Sequence, residues 1–402
     1  MKRMTGLGAA LVVAMTVTSC GGGGGGDDPG PGGGPTTPPT LSECDTSAAP
    51  SGDAAAAPDG AGGLMKAEQI DAPAGVNGWS IEYCSTGRDG TIIPVTGMLA
   101  IPDGDVPEGG WPVVAWAHGT AGLGDQCAPS VEGIDKIIYL EPWIEAGYAV
   151  AASDYQGLGT EGTPAYLIGE SEARGVLDSV RAARNFSPDI GDKTVTVGYS
   201  QGGHSALWTG QLAASYAPDV EILGVVSLSG PTDLVTLAEL RFTEVDAFDA
   251  ISEVITSWSD YYGEDPAALV TPQGAEVLDL VRDECAGGKI QQAQGPLDNF
   301  LTEPLLDNAM WVSLLEENST GAEPSSGQVF MAQAQRDNLV PADSTRAGLP
   351  IMCQANENLR YQEYPVTHGG LRIAAGRDML DFIADRFAGE TSDIGEACQD
   401  AG

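Results

Sequence analysis

Short apolar runs typical of buried strands alternate along the chain with longer segments of helical spacing. Trp111–Ala117 is apolar throughout, as expected of a strand covered on both faces, and Tyr148–Ser153 and Ile222–Leu228 have the same character. Ser171–Asn185 and Gln201–Tyr216 instead repeat their apolar side chains at the spacing of a helix face. This alternation predicts an α/β fold, with a mostly parallel sheet and helices packed on both of its faces.

The alternation is interrupted once, in the second half of the chain. From residue 234 to about residue 326 the pattern is helical and poor in strands, and the strand pattern resumes at Gln328–Gln333. A strand over Leu359–Tyr364 and a helix over Leu371–Phe387 follow. Further strands are predicted near the start, at Trp79–Cys84 and Val95–Ile101. The interruption predicts a helical cap, residues 234–326, inserted into a core of residues 43–233 and 327–402.

The N-terminal residues are typical of an export signal. Residues 1–20 combine a basic start with an apolar stretch too short to span a bilayer, and they end in Val17-Thr18-Ser19-Cys20. This ending resembles a bacterial lipobox, so Cys20 is the predicted lipidation site; an ordinary secretory signal is the alternative. Residues 21–42 are rich in Gly and Pro and are expected to form a flexible tether of roughly 25 Å. We therefore expect a protein that is lipid-anchored to the bacterial cell envelope, or secreted.

Charge and cysteine usage narrow the possible partners. The chain has 18 Lys and Arg against 57 Asp and Glu, for a formal net charge of −39, which disfavours nucleic acid and anionic lipid surfaces. Membrane contact is expected only through the N-terminal anchor. An even number of cysteines follows Cys20, and in an exported chain this predicts disulfides of open connectivity among Cys44, Cys84, Cys127, Cys285, Cys353 and Cys398. Their spacing does not predict a metal site.

The sequence around Ser200 carries the strongest chemical signal. Gly198-Tyr199-Ser200-Gln201-Gly202 is a G-x-S-x-G motif between a β-branched run, Thr194–Val197, and a predicted helix. Glycines allow a sharp turn that exposes the serine hydroxyl above the sheet, while the helix N-terminus faces a developing oxyanion. The motif predicts Ser200 as a nucleophile; a glycine-rich turn with an ordinary serine is the alternative.

A serine nucleophile needs a base, and the chain has only three histidines. His118 precedes the nucleophile, and His204 lies one turn along the same helix, where a buried structural role is expected. His368 lies in a predicted loop after the last strand. The order of serine, acid and histidine in α/β-hydrolases favours His368 as the base.

The catalytic acid and the oxyanion donors are predicted from their places relative to the predicted strands. Asp337 ends the strand that precedes His368 and is the predicted acid, with Asp343 as its rival in the first turn of a following helix. One oxyanion donor is expected to be the backbone N–H of Gln201. The other is expected from the turn after Trp111–Ala117, where Thr120 is favoured and Gly119 is the alternative.

The chain resembles the secretory lipase family, cap-bearing α/β-hydrolases that include fungal lipases and bacterial relatives. The resemblance is carried by residues 198–204 and four other segments: residues 125–130, residues 154–159, Asp337-Asn338-Leu339-Val340-Pro341 and His368-Gly369-Gly370. It implies an α/β-hydrolase fold, the triad Ser200, Asp337 and His368, and a cap that builds the acyl pocket. It also implies pairing of Cys127 with Cys285, which leaves Cys353 with Cys398 and Cys44 with Cys84.

The function predicted is hydrolysis of carboxylic esters, as in lipases and carboxylesterases, through an acyl-enzyme. The expected partner is a small-molecule or lipid ester, and this chemistry calls for no metal or organic cofactor. An acyltransferase or peptidase using the same triad, or a surface lipoprotein that only binds, remains the alternative. Acyl chain length and oligomeric state are left open.

Overall fold

A nine-stranded sheet forms the centre of the computed structural model, which describes residues 44, 60–242, 248–287, 299–356, 358–391 and 398. The predicted export signal and tether lie outside these residues. The strand order is β1-β2-β3-β5-β4-β6-β7-β8-β9. The strands are β1 Leu64–Ile70, β2 Val76–Thr86, β3 Ile92–Pro102, β4 Trp111–Ala117, β5 Ala149–Ser153, β6 Ile190–Tyr199, β7 Glu221–Leu228, β8 Gln328–Ala334 and β9 Leu359–Tyr364.

The sheet is mostly parallel, as predicted. The strands β1, β2, β3 and β5 pair antiparallel in that order, whereas the ladder from β5 through β4 to β9 is parallel. Within β4, Val113 and Ala115 belong to the core on one face, and Val114 and Trp116 belong to the core on the other. Because both faces are covered, β4 is apolar throughout its length.

Helices cover both faces and form a third layer over one edge. They are α1 Pro129–Glu132, α2 Leu140–Glu145, α3 Gly169–Phe186, α4 Gln201–Tyr216, α5 Leu234–Arg241, α6 Phe248–Tyr262, α7 Pro272–Val281, α8 Ala309–Asn318, α9 Ala342–Ala355, α10 His368–Ala374 and α11 Gly376–Ala388. Apolar residues of α3 and α4 pack on one face of the sheet, and those of α2, α10 and α11 pack on the other. No helix in the described ranges is both long and apolar enough to cross a bilayer.

Between β7 and β8 the described chain forms helices α5 to α8. Their apolar side chains form a cluster of their own around Trp258, whose indole stacks on that of Trp311 at 6.1 Å. Residues 165–168, which precede α3, join the same cluster. The segment thus covers the carboxyl edge of the sheet, where parallel strands end and functional side chains collect.

Local pattern predicted the central elements well and the peripheral ones less well. The observed β4 and α4 have the predicted bounds. The helix expected over Leu371–Phe387 is two helices, α10 and α11, which meet where Gly376 lies against the ring of Tyr139. His368, predicted to lie in a loop, is instead the first residue of α10. The edge strand β1 was not predicted, because its residues are mostly half-exposed and include charged side chains.

Candidate active site

Ser200 occupies the turn between β6 and α4 in a backbone conformation that few residues adopt. Its φ is 58° and its ψ is −124°, and it is the N-cap of α4. The Ser200 N–H donates to the carbonyl of Leu228 at the end of β7, 2.9 Å away, which fixes the turn against the sheet. Strained conformations of non-glycine residues cluster at active sites, because the surrounding fold has to hold them in place.

The glycines of the motif are required by close backbone contacts. A Cβ on Gly198 would lie 1.8 Å from the carbonyl oxygen of Gly202, and one on Gly202 would lie 1.9 Å from that of Ala117. On Gly203 it would lie 2.7 Å from the Cα of Gly230. These contacts are with backbone atoms, which cannot move aside as a flexible side chain can. The motif therefore serves the packing of β4, β6 and α4 as well as the exposure of the serine.

Asp337 and His368 are in direct contact. The Nδ1 atom of His368 lies 2.6 Å from Oδ2 of Asp337, and both side chains are almost fully buried. The other oxygen, Oδ1, accepts from the backbone N–H groups of Leu339 and Val340 at 3.0 and 2.9 Å. Because Asp337 is held by its own loop and points at Nδ1, it fixes the orientation of the imidazole.

Ser200 and His368 line the same cavity, of about 340 Å³. The ring of Tyr199, the residue before Ser200, lies 4.9 Å from that of His368, and the guanidinium of Arg372 lies 5.3 Å from the Tyr199 ring. Burial raises the pKa of Tyr199 to about 12, although the Arg372 cation opposes this shift. Tyr199 is thus an uncharged wall for the imidazole at neutral pH.

The predicted oxyanion donors are gathered around Ser200. Gln201 is the first residue of α4, so its N–H is among those that lack an acceptor within the helix. Gly119 and Thr120 line the cavity with Ser200, and the Thr120 hydroxyl lies 3.1 Å from that of Tyr166. The turn after β4 therefore lies beside the nucleophile, as the sequence predicted, and Tyr166 is an addition that carried no sequence signal.

His204 has the buried structural position expected of it. It is fully buried, with Nδ1 3.2 Å from Glu172 and Nε2 2.7 Å from the carbonyl of Asn318. Glu172 also accepts from the Gln201 side chain at 2.8 Å and from the N–H of Leu167 at 2.9 Å. Glu172 therefore contacts two residues in the first turn of α4 and positions this turn, a role that the sequence did not indicate.

The remaining candidates of the sequence lie away from the Asp337–His368 pair. Asp343 is mostly exposed and pairs with Arg346 at 2.7 Å. His118 is buried beside Tyr155, with ring centroids 4.3 Å apart, and its Nε2 faces the carbonyl of Asp154. Burial raises the pKa of the Asp154 carboxyl, which accepts from the N–H of Ser130 at 3.0 Å. Asp154 and His118 together brace the loop that carries Gly119 and Thr120.

One wall of the cavity comes from the helices between β7 and β8. Leu237, Arg241, Phe242, Ala250 and Glu253 line it from α5, from the residue after α5 and from α6. The family resemblance implied that this segment builds the acyl pocket, but nothing in the sequence indicated that Arg241 and Glu253 line it. A buried charged residue inside a helical pattern cannot be told from a surface one without the packing that covers it.

The structure forms three disulfides, in the pairs that the family resemblance implies. Cys127 bonds Cys285 with an S–S distance of 2.02 Å, and Cys44–Cys84 and Cys353–Cys398 are the others. Around the first bond, Gly122 pairs with Cys285 in a short antiparallel bridge, and the N–H of Ala286 donates to Ala121. This bond thus joins the loop after β4 to the segment after α7, beside the cavity.

The chain is similar to known lipases in sequence and in fold. The secreted triacylglycerol lipase LIP5 of Malassezia furfur is 24% identical over 305 residues, covering 66% of this chain and 76% of the relative. The chain spans 60% and 49% of the length of two other lipases of that fungus. Candida antarctica lipase A in its closed state superposes with a TM-score of 0.72 at 20% identity, covering 85% of this chain and 87% of that one.

A second solved structure extends the likeness to bacteria. The rice cell wall degrading esterase LipA from Xanthomonas oryzae has a TM-score of 0.67 at 19% identity, covering 82% of this chain and 98% of that one. At these identities the two structures establish the α/β-hydrolase fold. The family described as Secretory lipase matches residues 130–395, well over half of the sequence. The chain therefore belongs to the secretory lipase family of carboxylic ester hydrolases.

Proposed function

We propose that the ester hydrolysis of this protein proceeds by acyl transfer to Ser200. Its Oγ attacks the carbonyl carbon while its proton passes to Nε2 of His368, and Asp337 holds the imidazole through Nδ1. The carbonyl oxygen becomes an oxyanion that accepts hydrogen bonds from the N–H groups of Gln201 and Thr120. His368 then gives the proton to the departing alcohol. Water cleaves the acyl-Ser200 by the same proton transfers and releases the acid.

The observation that best supports this mechanism is the 2.6 Å contact between His368 and Asp337 in the wall of the cavity that contains Ser200. A carboxylate that accepts from Nδ1 leaves Nε2 as the basic nitrogen, and it stabilises the imidazolium that forms when the serine proton is taken. Ser200, in its strained turn at the N-terminus of α4, then has both a base and an oxyanion site within one cavity.

The test is replacement of the nucleophile. Ser200→Ala should lower kcat for p-nitrophenyl butanoate by at least roughly 10⁴-fold and abolish labelling by a fluorophosphonate, because the substitution removes the oxygen that attacks the ester. Ser215→Ala, at the exposed end of the same helix, is the matched control and should retain both. Turnover by Ser200→Ala close to that of the control would contradict the assignment.

We further propose lipid esters as natural substrates and Cys20 as a membrane anchor. The first rests on the similarity to a triacylglycerol lipase of Malassezia and on apolar cavity residues such as Leu237 and Phe242. The second rests on the sequence before Cys20 and goes beyond the secretion that the similarity to secreted lipases supports. Turnover of emulsified tributanoylglycerol tests the first. Release of a Cys20→Ser variant from the membrane fraction tests the second.

A further inference from the structure

We infer that Arg241 and Glu253 form a polar wall in the active-site cavity, and that this wall selects esters whose acyl chain carries a hydroxyl group over plain long-chain esters. The inference rests on the proposed function, since it concerns the substrate that Ser200 attacks. It concerns specificity and leaves the order of chemical steps unchanged.

Both charged residues are inside the molecule and face the site. Arg241 ends α5 and is 6% exposed, while Glu253 lies in α6 and is 4% exposed. Both line the cavity that also holds Ser200 and His368. Arg and Glu are almost never fully buried unless they are paired, so two such residues in one cavity wall are an unusual feature of this site.

The two residues are the buried charged side chains of the described parts of α5 and α6. The other buried members of α5 are the apolar Leu234, Leu237 and Ala238. The buried residues of α6 include four apolar side chains and four that bear hydroxyl groups: Ile251, Val254, Ile255, Trp258, Ser252, Thr256, Ser257 and Ser259. Arg241 and Glu253 have interaction partners of their own, which stabilise them in this position.

The charges of the wall determine the kind of substrate group it suits. Among the described residues that line the cavity, Arg241 and Glu253 contribute one charge of each sign, so these two side chains together favour neither an anionic nor a cationic chain. A guanidinium donates hydrogen bonds and a carboxylate accepts them, and a hydroxyl group can do both. An alkyl chain against the same wall would instead desolvate charged groups without replacing their hydrogen bonds.

Away from Ser200 and the hydroxyl groups of Thr120 and Tyr166, the rest of the cavity lining is largely apolar, which makes the contrast measurable. Contact with an apolar wall favours each methylene of the acyl chain that is buried there. The apolar lining residues are Leu237, Phe242 and Ala250 on the cap side and Leu339 and Val340 on the core side. In a wholly apolar pocket each added methylene raises kcat/KM roughly fourfold, whereas a hydroxyl on the chain lowers it roughly tenfold or more. Where the acyl chain reaches a polar wall, further methylenes should no longer raise kcat/KM, and a hydroxyl group should raise it instead of lowering it.

The first experiment uses the unmodified protein. We compare p-nitrophenyl butanoate, hexanoate and octanoate with the same esters hydroxylated at the chain end. For at least one length, kcat/KM of the hydroxylated ester should equal or exceed that of the plain ester. A loss of roughly tenfold or more at every length is the result of an apolar pocket and would overturn the inference.

The second experiment removes the wall. In a variant carrying both Arg241→Met and Glu253→Met, the net charge is unchanged, plain octanoate should gain at least roughly fourfold over hexanoate, and the hydroxyl preference should disappear. Arg377→Met with Asp381→Met removes an exposed ion pair on α11 and is the matched control, with a wild-type profile expected.

The outcomes separate the two proposals. An active enzyme with the same chain profile in both double variants overturns the polar wall and leaves the proposed function intact. A protein that turns over no ester, or whose Ser200 a fluorophosphonate does not label, refutes the proposed function itself. Where the cavity variant does not fold, the comparison of plain and hydroxylated esters on the unmodified protein decides.

Discussion

Asp337 and Asp343 lie close in sequence but in opposite environments. Asp337 is buried, held by two backbone N–H groups and in contact with His368, whereas Asp343 is exposed and paired with Arg346. Sequence order favoured Asp337, because the acid follows a strand directly. Only the structure shows why the rival is unsuited, since its carboxylate already has a partner on the surface.

This contrast gives a paired test at the level of single residues. Asp337→Asn should lower kcat roughly 10⁴-fold, because an amide holds the imidazole in the wrong tautomer and does not stabilise the imidazolium. Asp343→Asn should retain kcat within about twofold, since an exposed ion pair contributes little. Steady-state kinetics with p-nitrophenyl butanoate decides, and equal losses in the two variants would remove Asp337 from the triad.

At the level of elements, the packing of the turn between β6 and α4 determines where the Ser200 nucleophile lies. Strand, turn and helix follow directly from local pattern: Thr194–Val197 alternates, the glycines allow the bend, and α4 begins at the predicted residue. Gly198 is required by a contact with Gly202 in the same turn, whereas the contacts that require Gly202 and Gly203 involve β4 and the loop after β7, which no local pattern reveals.

Gly198→Ala tests the close backbone contact within this turn. Its Cβ would overlap the carbonyl of Gly202 at 1.8 Å, so we expect the free energy of unfolding to fall by about 3 kcal/mol or more, together with loss of activity. Gly369→Ala, in α10, meets no atom within 4 Å and should raise stability by about 0.5–1 kcal/mol. Urea unfolding measures both, and a Gly198→Ala protein of normal stability would contradict the steric argument.

A buried carboxyl links three elements and predicts a dependence of stability on pH. Asp178 in α3 accepts from Ser85 in β2 at 2.7 Å, from Tyr216 in α4 at 2.6 Å and from Arg181 at 3.0 Å. Burial raises its pKa from 3.8 to about 6, against the opposing effect of Arg181. The folded state then binds more protons than the unfolded state in this window, so the contribution of Asp178 to stability falls as pH rises through it.

Asp178→Asn isolates this effect, because an amide does not titrate. Loss of hydrogen bonds should make the variant less stable at low pH, but its deficit relative to the unmodified protein should shrink as pH rises from about 4 to about 7. The full change is on the order of 3 kcal/mol. Urea unfolding across this range gives the difference, and a deficit that stays constant would show that the pKa of Asp178 is not raised in the fold.

At the level of the whole molecule, one disulfide joins the core to the inserted helices. Cys127 and Cys285 are separated by 158 positions, against 45 for Cys353 and Cys398. The longer loop restricts the unfolded chain more strongly, and its bond also anchors residues 284–286 beside the active-site cavity.

Removal of that bond should therefore affect both stability and the site. Cys127→Ser with Cys285→Ser is expected to cost roughly 2–4 kcal/mol and to raise KM, because Ala286 and Gly287 line the cavity. Cys353→Ser with Cys398→Ser, the comparison variant, should lower Tm while leaving KM unchanged. Thermal unfolding and ester kinetics measure the two effects, and an unchanged KM in the first variant would show that this bond does not shape the site.

Local sequence determined the parts of the protein that depend on local forces. The period of apolar positions defined the central strands and helices, because each face must be buried, and glycine sterics identified the turn at Ser200. With three histidines and a fixed order of catalytic residues, the sequence also singled out Asp337 and His368, which the structure brings into contact.

Tertiary structure decided the features that depend on partners distant in sequence. Glu172 contacts the first residue of α4, and α10 and α11 are separate helices that meet where Gly376 lies against Tyr139. The edge strand β1 joins the sheet, and the side chains of Arg241 and Glu253 line the active-site cavity. From sequence alone, a charged residue in a helical pattern could equally face solvent or line the wall of a buried cavity. The choice between them is made by long-range packing, because only the covering elements remove water from the side chain.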